Sequence, residues 1–381
     1  MKDSFLLLMW VSATIFMVGL LFSHKCFSYL DSGSGVPRNN SMDGLRYVLA
    51  SMVVFHHMDF HRYFVENGLW KTGSELIFYM GRFGVDMFFM ITAYLFWGKI
   101  RNKENIDWVN LYKGRIYRIV PLAFFSSFIS ICLLFIYFGL PKLEHKVIIN
   151  IASWFDAGFF DIKPPVNDFS RPKVVLSGVT WTLRWEWAFY LFLPVLFFFR
   201  RRGLELAIGS LFIIVYLLPY VKEASPYLVS CFAFGILAKE LEEKVSIQKI
   251  TADLIIAFVL IFIFIIRPAP LSINFTACLS IIMLMVCCGG DFFGLLTLPG
   301  FIRLGHSSYS IYLLQGSFFF VAVRSINYSS IKETNYIYFI AMTFTFLLLC
   351  LISSLTYKKI EMRFIKPSRK ITQNTQVILN K

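Results

Sequence analysis

Long apolar runs constrain this chain more than any other feature. About eleven of them approach the roughly 20 residues a helix needs to cross a hydrocarbon core. They are Phe5–Phe22, Arg46–His61, Arg82–Trp97, Ile119–Phe138, Trp181–Phe199, Leu204–Val221, Tyr227–Ala238, Leu254–Ile266, Leu271–Cys288, Leu304–Val323 and Tyr336–Thr356. The second, third and seventh are short or polar. Only 16% of residues are charged, where a soluble chain carries about a quarter. The runs are too long for outer-membrane strands and do not alternate as those do. A backbone in lipid must satisfy its own hydrogen bonds. The expected fold is therefore all-α, a polytopic transmembrane helical bundle of about 10–11 spans. Lys2 followed by an apolar stretch also fits a signal peptide, but the stretch is long for one, and a retained anchor is the preferred reading.

Charge orients the bundle. Lys and Arg concentrate in cytoplasmic loops. With the C-terminus inside and eleven crossings, 23 of the 37 basic residues fall inside and 13 outside. The C-terminus is expected in the cytoplasm and the N-terminus outside. Basic loops facing anionic lipid account for the net charge of +14 without nucleic acid. The expected organisation is an extra N-terminal anchor and cytoplasmic linker over 1–42, a transmembrane core over 43–366 and a tail over 367–381. The seven Cys include no C-x-x-C pair and mostly lie in apolar runs, as small core fillers do. His56, His57 and His61 lack an H-E-x-x-H pattern, and no metal is expected.

Chemistry is expected where ionisable groups enter the membrane, since they are costly there. Four segments carry such groups. In LRYVLASMVVFHHM, Arg46 and His57 are eleven residues apart, nearly three turns and about 16 Å along one helix face. His56 points elsewhere. In GRFGVDMFFMITAYLF, Asp86 falls at the depth of His57, although a carboxylate at a helix start would also balance the dipole there. In GRIYRIVP, Arg115 and Arg118 share a face at the inner end of a span. Paired guanidiniums suit phosphate, and they also suit plain positive-inside anchoring. In WTLRWEWAFYLFLP, Glu186 lies near the outer end of its span. Trp181, Trp185 and Trp187 beside it read as an interfacial belt, which does not account for Glu186. Basic groups thus gather at the inner face, and His57, Asp86 and Glu186 gather in the outer half. That division suggests an anionic donor held inside and acid–base chemistry nearer the outside.

These segments resemble the motifs of acyltransferase family 3, the membrane O-acyltransferases of bacterial surface polysaccharides. DGLRYVLASMVVFHH is similar to the opening motif, an Arg and a His separated by ten residues, matched by Arg46 and His57. FGVDMFFMITAYLF resembles F-G-V-D-x-F-F-x-I-S-G-F and matches Asp86. RIYRIVP resembles R-x-x-R. WTLRWEWAFYLFLP resembles W-S-L-x-x-E-x-x-F-Y-L-x-x-P and matches Glu186. LGHSSYSIYLL and YKKIEMRFI resemble the two closing motifs. All six come in family order. Gln315 stands where the family often has a His, Trp187 where it has a second Glu, and Thr92–Ala93 where it has Ser-Gly.

The resemblance implies transfer of an acyl group, most often acetyl, from cytoplasmic acyl-coenzyme A to a hydroxyl of a surface polysaccharide or its lipid-linked precursor. It implies a bacterial inner-membrane location, with catalytic roles for His57, Glu186 and Asp86 and donor binding by Arg46, Arg115 and Arg118. Acetyl-coenzyme A, a glycan or glycolipid acceptor and membrane lipid are the expected partners. A transporter or flippase would also bury such groups, but no inverted repeat is visible. A polysaccharide polymerase or glycosyltransferase would use a large outer loop, and Leu140–Thr180 is long enough for one. Its Trp154, Asp156, Asp161, Asp168 and Arg171 read better as a lid or acceptor surface.

Overall fold

The computed structural model describes residues 2–31, 39–142, 144–217, 220, 225–325 and 335–365. Linker residues 32–38 and the tail 367–381 lie outside the described residues. Among the described residues there is no strand. The helices are α1 (Lys2–Ser23), α2 (Asn40–Asn67), α3 (Glu75–Ile100), α4 (Trp108–Phe138), α5 (His145–Ser153), α6 (Trp181–Phe198) and α7 (Gly203–Leu217). They continue as α8 (Ser225–Leu241), α9 (Lys249–Ile266), α10 (Ile273–Cys287), α11 (Pro299–His306), α12 (Ser308–Ser325) and α13 (Asn335–Thr356), the last running into a π-helical turn at Tyr357–Glu361.

Among the described residues the apolar runs fall on helices, one of them divided between two, so the all-α polytopic reading holds. Helices α2, α3 and α4 extend well past their runs. A run marks the part that prefers lipid, whereas helix formation needs only backbone bonding and suitable ends. Asp107 caps α4 by accepting from the Asn110 amide at 3.0 Å, and Gly139 ends it at φ +80°. Five helical segments are long and apolar enough to cross a membrane: Phe5–Ser23, Glu75–Ile100, Trp108–Phe138, Lys249–Ile266 and Ile337–Ile365. Apolar α7 and α10 are shorter. The run Leu304–Val323, expected as one span, is broken between α11 and α12. Buried Ser307 starts α12 there, its carbonyl accepting from the Ile311 amide at 3.0 Å.

The chain forms two compact units. The first holds Met1–Val53, Phe78–Ile106 and Phe189–His306. Within it α1 lies directly on α11. A Cβ on Gly300 would stand 1.8 Å from the Gly19 carbonyl oxygen. The Gly300 amide donates to Ser23 Oγ at 2.9 Å, and Ser23 Oγ donates to the Gly19 carbonyl at 3.2 Å. Arg303 then closes the end of α1. Its Nη1 donates to the carbonyls of Phe22, Ser23 and His24 at 2.9, 3.0 and 2.9 Å. Carbonyls at a helix C-terminus carry partial negative charge, and that of His24, just past the helix, also accepts from the Phe27 amide at 3.1 Å. The same guanidinium donates from Nε and Nη2 to the two Asp31 oxygens at 2.7 and 2.9 Å. The start of α2 is seated as tightly. A Cβ on Gly44 would meet the Leu296 carbonyl oxygen at 1.8 Å, and one on Gly305 would meet that of Asp43 at 1.8 Å.

Two further polar clusters brace this unit. Trp97 Nε1 donates to Glu240 at 2.6 Å, and Arg101 reaches both Glu240 and Glu243, joining α3 to α8. Asp253 of α9 accepts from the amides of Asp291, Phe292 and Phe293 at 2.8, 2.7 and 3.1 Å. Phe292 and Phe293 both have positive φ, and these bonds are what holds that turn.

The second unit holds Val54–Ile77, Asp107–Ala188 and Ser307–Lys381. The connection from α4 to α6 is a packed cap. Trp154 is fully buried with Leu134, Val166, Val175, Leu176 and Phe320. Trp154 Nε1 donates to the Pro164 carbonyl at 3.0 Å, and Ser127 of α4 donates to the Trp154 carbonyl at 2.8 Å. Asp156 accepts from the amides of Gly158 and Phe160 and pairs with Lys163. Asp161 accepts from Thr180 Oγ1 at 2.5 Å and pairs with Lys173. These carboxylates hold the connection in shape. Helix α12 runs against its 3₁₀ turn at Pro172–Leu176, where a Cβ on Gly316 would lie 2.3 Å from the Leu176 carbonyl carbon.

Gly300→Ala should lower stability by about 1–3 kcal/mol through overpacking. Gly209→Ala, in a helix with nothing within 4 Å of the new Cβ, should be neutral or mildly stabilising. Thermal unfolding of both variants in detergent checks the contrast. The hydrogen-bonded Arg303 guanidinium also holds the Asp31 carboxyl below its ordinary range, against a smaller opposing effect of burial. A lowered folded-state pKa gives stability that is complete above the unfolded value of about 3.9 and fades as pH falls through the folded one. The melting difference between wild type and Asp31→Asn should therefore shrink below about pH 4.

Candidate active site

In the second unit, α2 carries His57, which is 8% exposed. Its Nδ1 lies 3.3 Å from Gln315 Oε1 on α12. The Gln315 amide is itself oriented, because Nε2 donates to the Tyr312 carbonyl at 2.8 Å. That leaves Oε1 facing the imidazole. An amide oxygen only accepts, so His57 Nδ1 is the donor in this contact. His56 turns away, its Nδ1 lying 3.0 Å from the Ile77 carbonyl, as the helical period requires.

One turn further on, His61 Nε2 lies 2.8 Å from Ser177 Oγ. Both residues are buried. Ser177 follows the 3₁₀ turn at φ +54°, a region that L side chains adopt at a cost. Gly316, next to Gln315, would bring a Cβ within 2.6 Å of the Ser177 amide nitrogen. Residues 315–316 of α12 thus touch both the His57 ring and the Ser177 turn. Neither Gln315 nor Ser177 is assigned a role by sequence reasoning. Gln315 had a faint signal, standing where a His is expected.

The other expected residues of this unit take their places on helices. Arg115 and Arg118 lie one turn apart on α4, each partly exposed. Glu186 is partly buried on α6. Thr182, at the start of α6, shares a hydrogen bond with Tyr312 at 2.9 Å, the residue whose carbonyl orients Gln315. Trp187 donates from Nε1 to the Ala157 carbonyl at 3.1 Å, a structural task beyond an interfacial belt.

In the first unit, Arg46 lies on α2 with its Nη1 3.5 Å from Asp43 Oδ1. Asp43 Oδ2 is 3.3 Å from His306 Nε2. Asp86 is fully buried on α3 and forms a 2.7 Å ion pair with Arg82. Helix α3 starts at Glu75, so Asp86 is not a helix-start carboxylate. Its burial is matched by the close seat of Gly84, where a Cβ would lie 2.8 Å from the Leu49 carbonyl oxygen.

Within the second unit, the Gln315 contact gives the His57 ring a fixed direction. The family is shown directly. The family model described as an acyltransferase domain, that of acyltransferase family 3, matches residues 39–355, and the chain belongs to that family. It is a membrane acyltransferase. No curated protein and no solved structure matches it.

The Ser177 turn separates two contributions. Ser177→Gly relieves the backbone but loses the His61 bond, whereas Ser177→Ala keeps the strain and loses the bond. Alanine should be less stable than glycine by about 1 kcal/mol, read from unfolding in detergent.

Proposed function

We propose that this protein transfers an acetyl group from cytoplasmic acetyl-coenzyme A to a hydroxyl of a surface polysaccharide or its lipid-linked precursor, in a bacterial inner membrane. The observation that carries the reading is the Gln315 contact, which orients the His57 ring through Nδ1, as a general base is oriented. In the transfer, an acceptor hydroxyl gives its proton to His57 Nε2 as its oxygen bonds to the thioester carbonyl carbon. The C–S bond breaks, and coenzyme A leaves as the thiol, carrying the proton that His57 returns. Glu186 steadies the positive charge on the imidazole. Asp86, held by Arg82, keeps a buried carboxylate in the first unit.

Arg46, Arg115 and Arg118 are assigned to the coenzyme A phosphates, where guanidiniums bind in bidentate fashion. Arg46 and His57 are eleven residues apart on the continuous helix α2, about 16 Å. A pantetheine arm spans that length. The polymerase reading loses support, because Asp156 and Asp161 are engaged in folding their own connection.

Membranes containing the protein, given labelled acetyl-coenzyme A and isolated glycan, should form alkali-labile labelled ester. His57→Ala should abolish that label in folded protein. Gln315→Leu should lower kcat by roughly ten- to a hundredfold with little change in donor KM. Full transfer by His57→Ala, or chain extension without label, would defeat the reading.

A further inference from the structure

Arg82 and Asp86 form an ion pair within a helix long and apolar enough to span a membrane, with Nη2 donating to Oδ1 at 2.7 Å. Ionisable groups in a span are costly and are functional candidates. Helix support alone does not account for them, since a base four residues ahead of an acid is the less stabilising order. The pair is also joined by one arm only. An arginine and a carboxylate can join through two parallel bonds, one from each of two nitrogens to each of two oxygens. Arg303 and Asp31 do so, at 2.7 and 2.9 Å. In the Arg62–Asp59 pair both nitrogens reach Oδ1, and Oδ2 accepts from Thr72 Oγ1 and the Gly73 amide. In the Arg82–Asp86 pair the second arm is not made. Arg82 Nε and Asp86 Oδ2 are both buried, and neither has a hydrogen-bond partner among the described residues.

These two atoms are complementary. A guanidinium Nε only donates, and a carboxylate oxygen accepts. Burying each without a partner costs desolvation free energy. A single hydroxyl answers both, its oxygen accepting from Nε and its proton going to Oδ2. Cys231 of α8 lies in the field of both charges, but its thiol already donates to the Tyr227 carbonyl at 3.3 Å. Packing fixes the helix that carries the pair. Arg82 and Asp86 share one face of α3, and Gly84 between them faces the other way. There a Cβ would lie 2.8 Å from the Leu49 carbonyl oxygen of α2. Further along, a Cβ on Gly235 of α8 would meet the Met90 carbonyl oxygen at 2.2 Å, and the Phe89 and Phe232 rings lie 5.1 Å apart.

The approach to the pair follows from burial and depth. The Asp86 side chain is 0% exposed and that of Arg82 is 12% exposed, so an incoming group passes the guanidinium first. Arg82 stands seven residues from the Glu75 start of α3, about 10 Å, and eighteen from its Ile100 end, about 27 Å. In the orientation that the basic loops favour, the Glu75 end faces outside. We propose that the Arg82–Asp86 pair binds one hydroxyl of the acyl acceptor, which reaches it from the outer side. This rests on the reading, given above, of an acyltransferase with a hydroxyl acceptor on that side. The pair holds the acceptor and takes part in no bond making or breaking.

The experiment is steady-state transfer to isolated surface glycan as the varied acceptor, with acetyl-coenzyme A saturating, on purified full-length protein whose folding is checked by thermal unfolding. The acetyl-coenzyme A KM is measured in parallel at fixed glycan. Arg82→Lys keeps a cation for Asp86 but presents one nitrogen in place of the fork. It should raise the glycan KM by roughly three- to tenfold, with the acetyl-coenzyme A KM within about twofold of wild type. Asp86→Asn should raise the glycan KM at least as much. Where asparagine lowers the folded yield, Arg82→Met combined with Asp86→Leu removes the pair without stranding either charge. That double variant should fold and show a glycan KM raised by about tenfold or more. An unchanged glycan KM in the lysine and double variants overturns the inference, and is the result a bridging water alone would give. A rise confined to the acetyl-coenzyme A KM assigns the pair to the hydroxyl of the pantetheine arm and overturns it too, as does a defect confined to kcat. If wild type forms no labelled ester with glycan, the reading of function falls and the inference with it. If wild type forms the ester while the variants keep the wild-type glycan KM, only the inference falls.

Discussion

Hydrocarbon offers no hydrogen bonds, so each polar group of this protein placed away from water has to find its partner within the protein. Helices meet that demand along their length but not at their ends, nor where the chain turns. The protein answers at those points with ionised side chains. Arg303 supplies the open carbonyls of α1. Asp253 supplies three amides of a turn with two residues at positive φ. Asp156 does the same for the connection before α6. These groups would be expensive in lipid alone and become stabilising because the backbone already needs them.

The same demand shapes the packing. With little hydrophobic force between helices in lipid, close approach and side-chain hydrogen bonds hold them together. Gly300 on Gly19, Gly305 on Asp43 and Gly316 on Leu176 bring backbones into contact. Ser126 donates across to the Leu313 carbonyl, and Ser130 pairs with Ser317 on the same helix α12. Rigid seating of this kind also keeps the His57 ring against Gln315. Gln315 and Gly316 show the economy of the arrangement: one residue orients His57 while the next fixes the turn that holds His61.

Much of this was legible in the sequence. The apolar runs located the helices, because lipid preference is written residue by residue. The motif segments placed His57, Asp86 and Glu186 on helices and pointed to the family, which the match over residues 39–355 shows. The partners were not legible. Gln315 lies 258 positions from His57, Ser177 lies 116 from His61, and Leu30 lies 276 from His306. Helical period says which way a residue points but not what waits there. The break at Ser307 was hidden for a related reason: the polar stretch Gly305–Ser310 lies between apolar flanks that read as one span, and its place as a helix start shows only in the backbone bonding.

The grip of Arg303 on α1 has a bearing on how the protein is made. Helix α1 leaves the ribosome well before α11, and the guanidinium that completes its C-terminal end arrives about 280 residues later. Between those moments the carbonyls of Phe22 and Ser23 must rest on water or lipid headgroups at the membrane surface. Insertion of the first helix and its final docking are therefore separate events, and the second must wait until nearly all the other helices are in place.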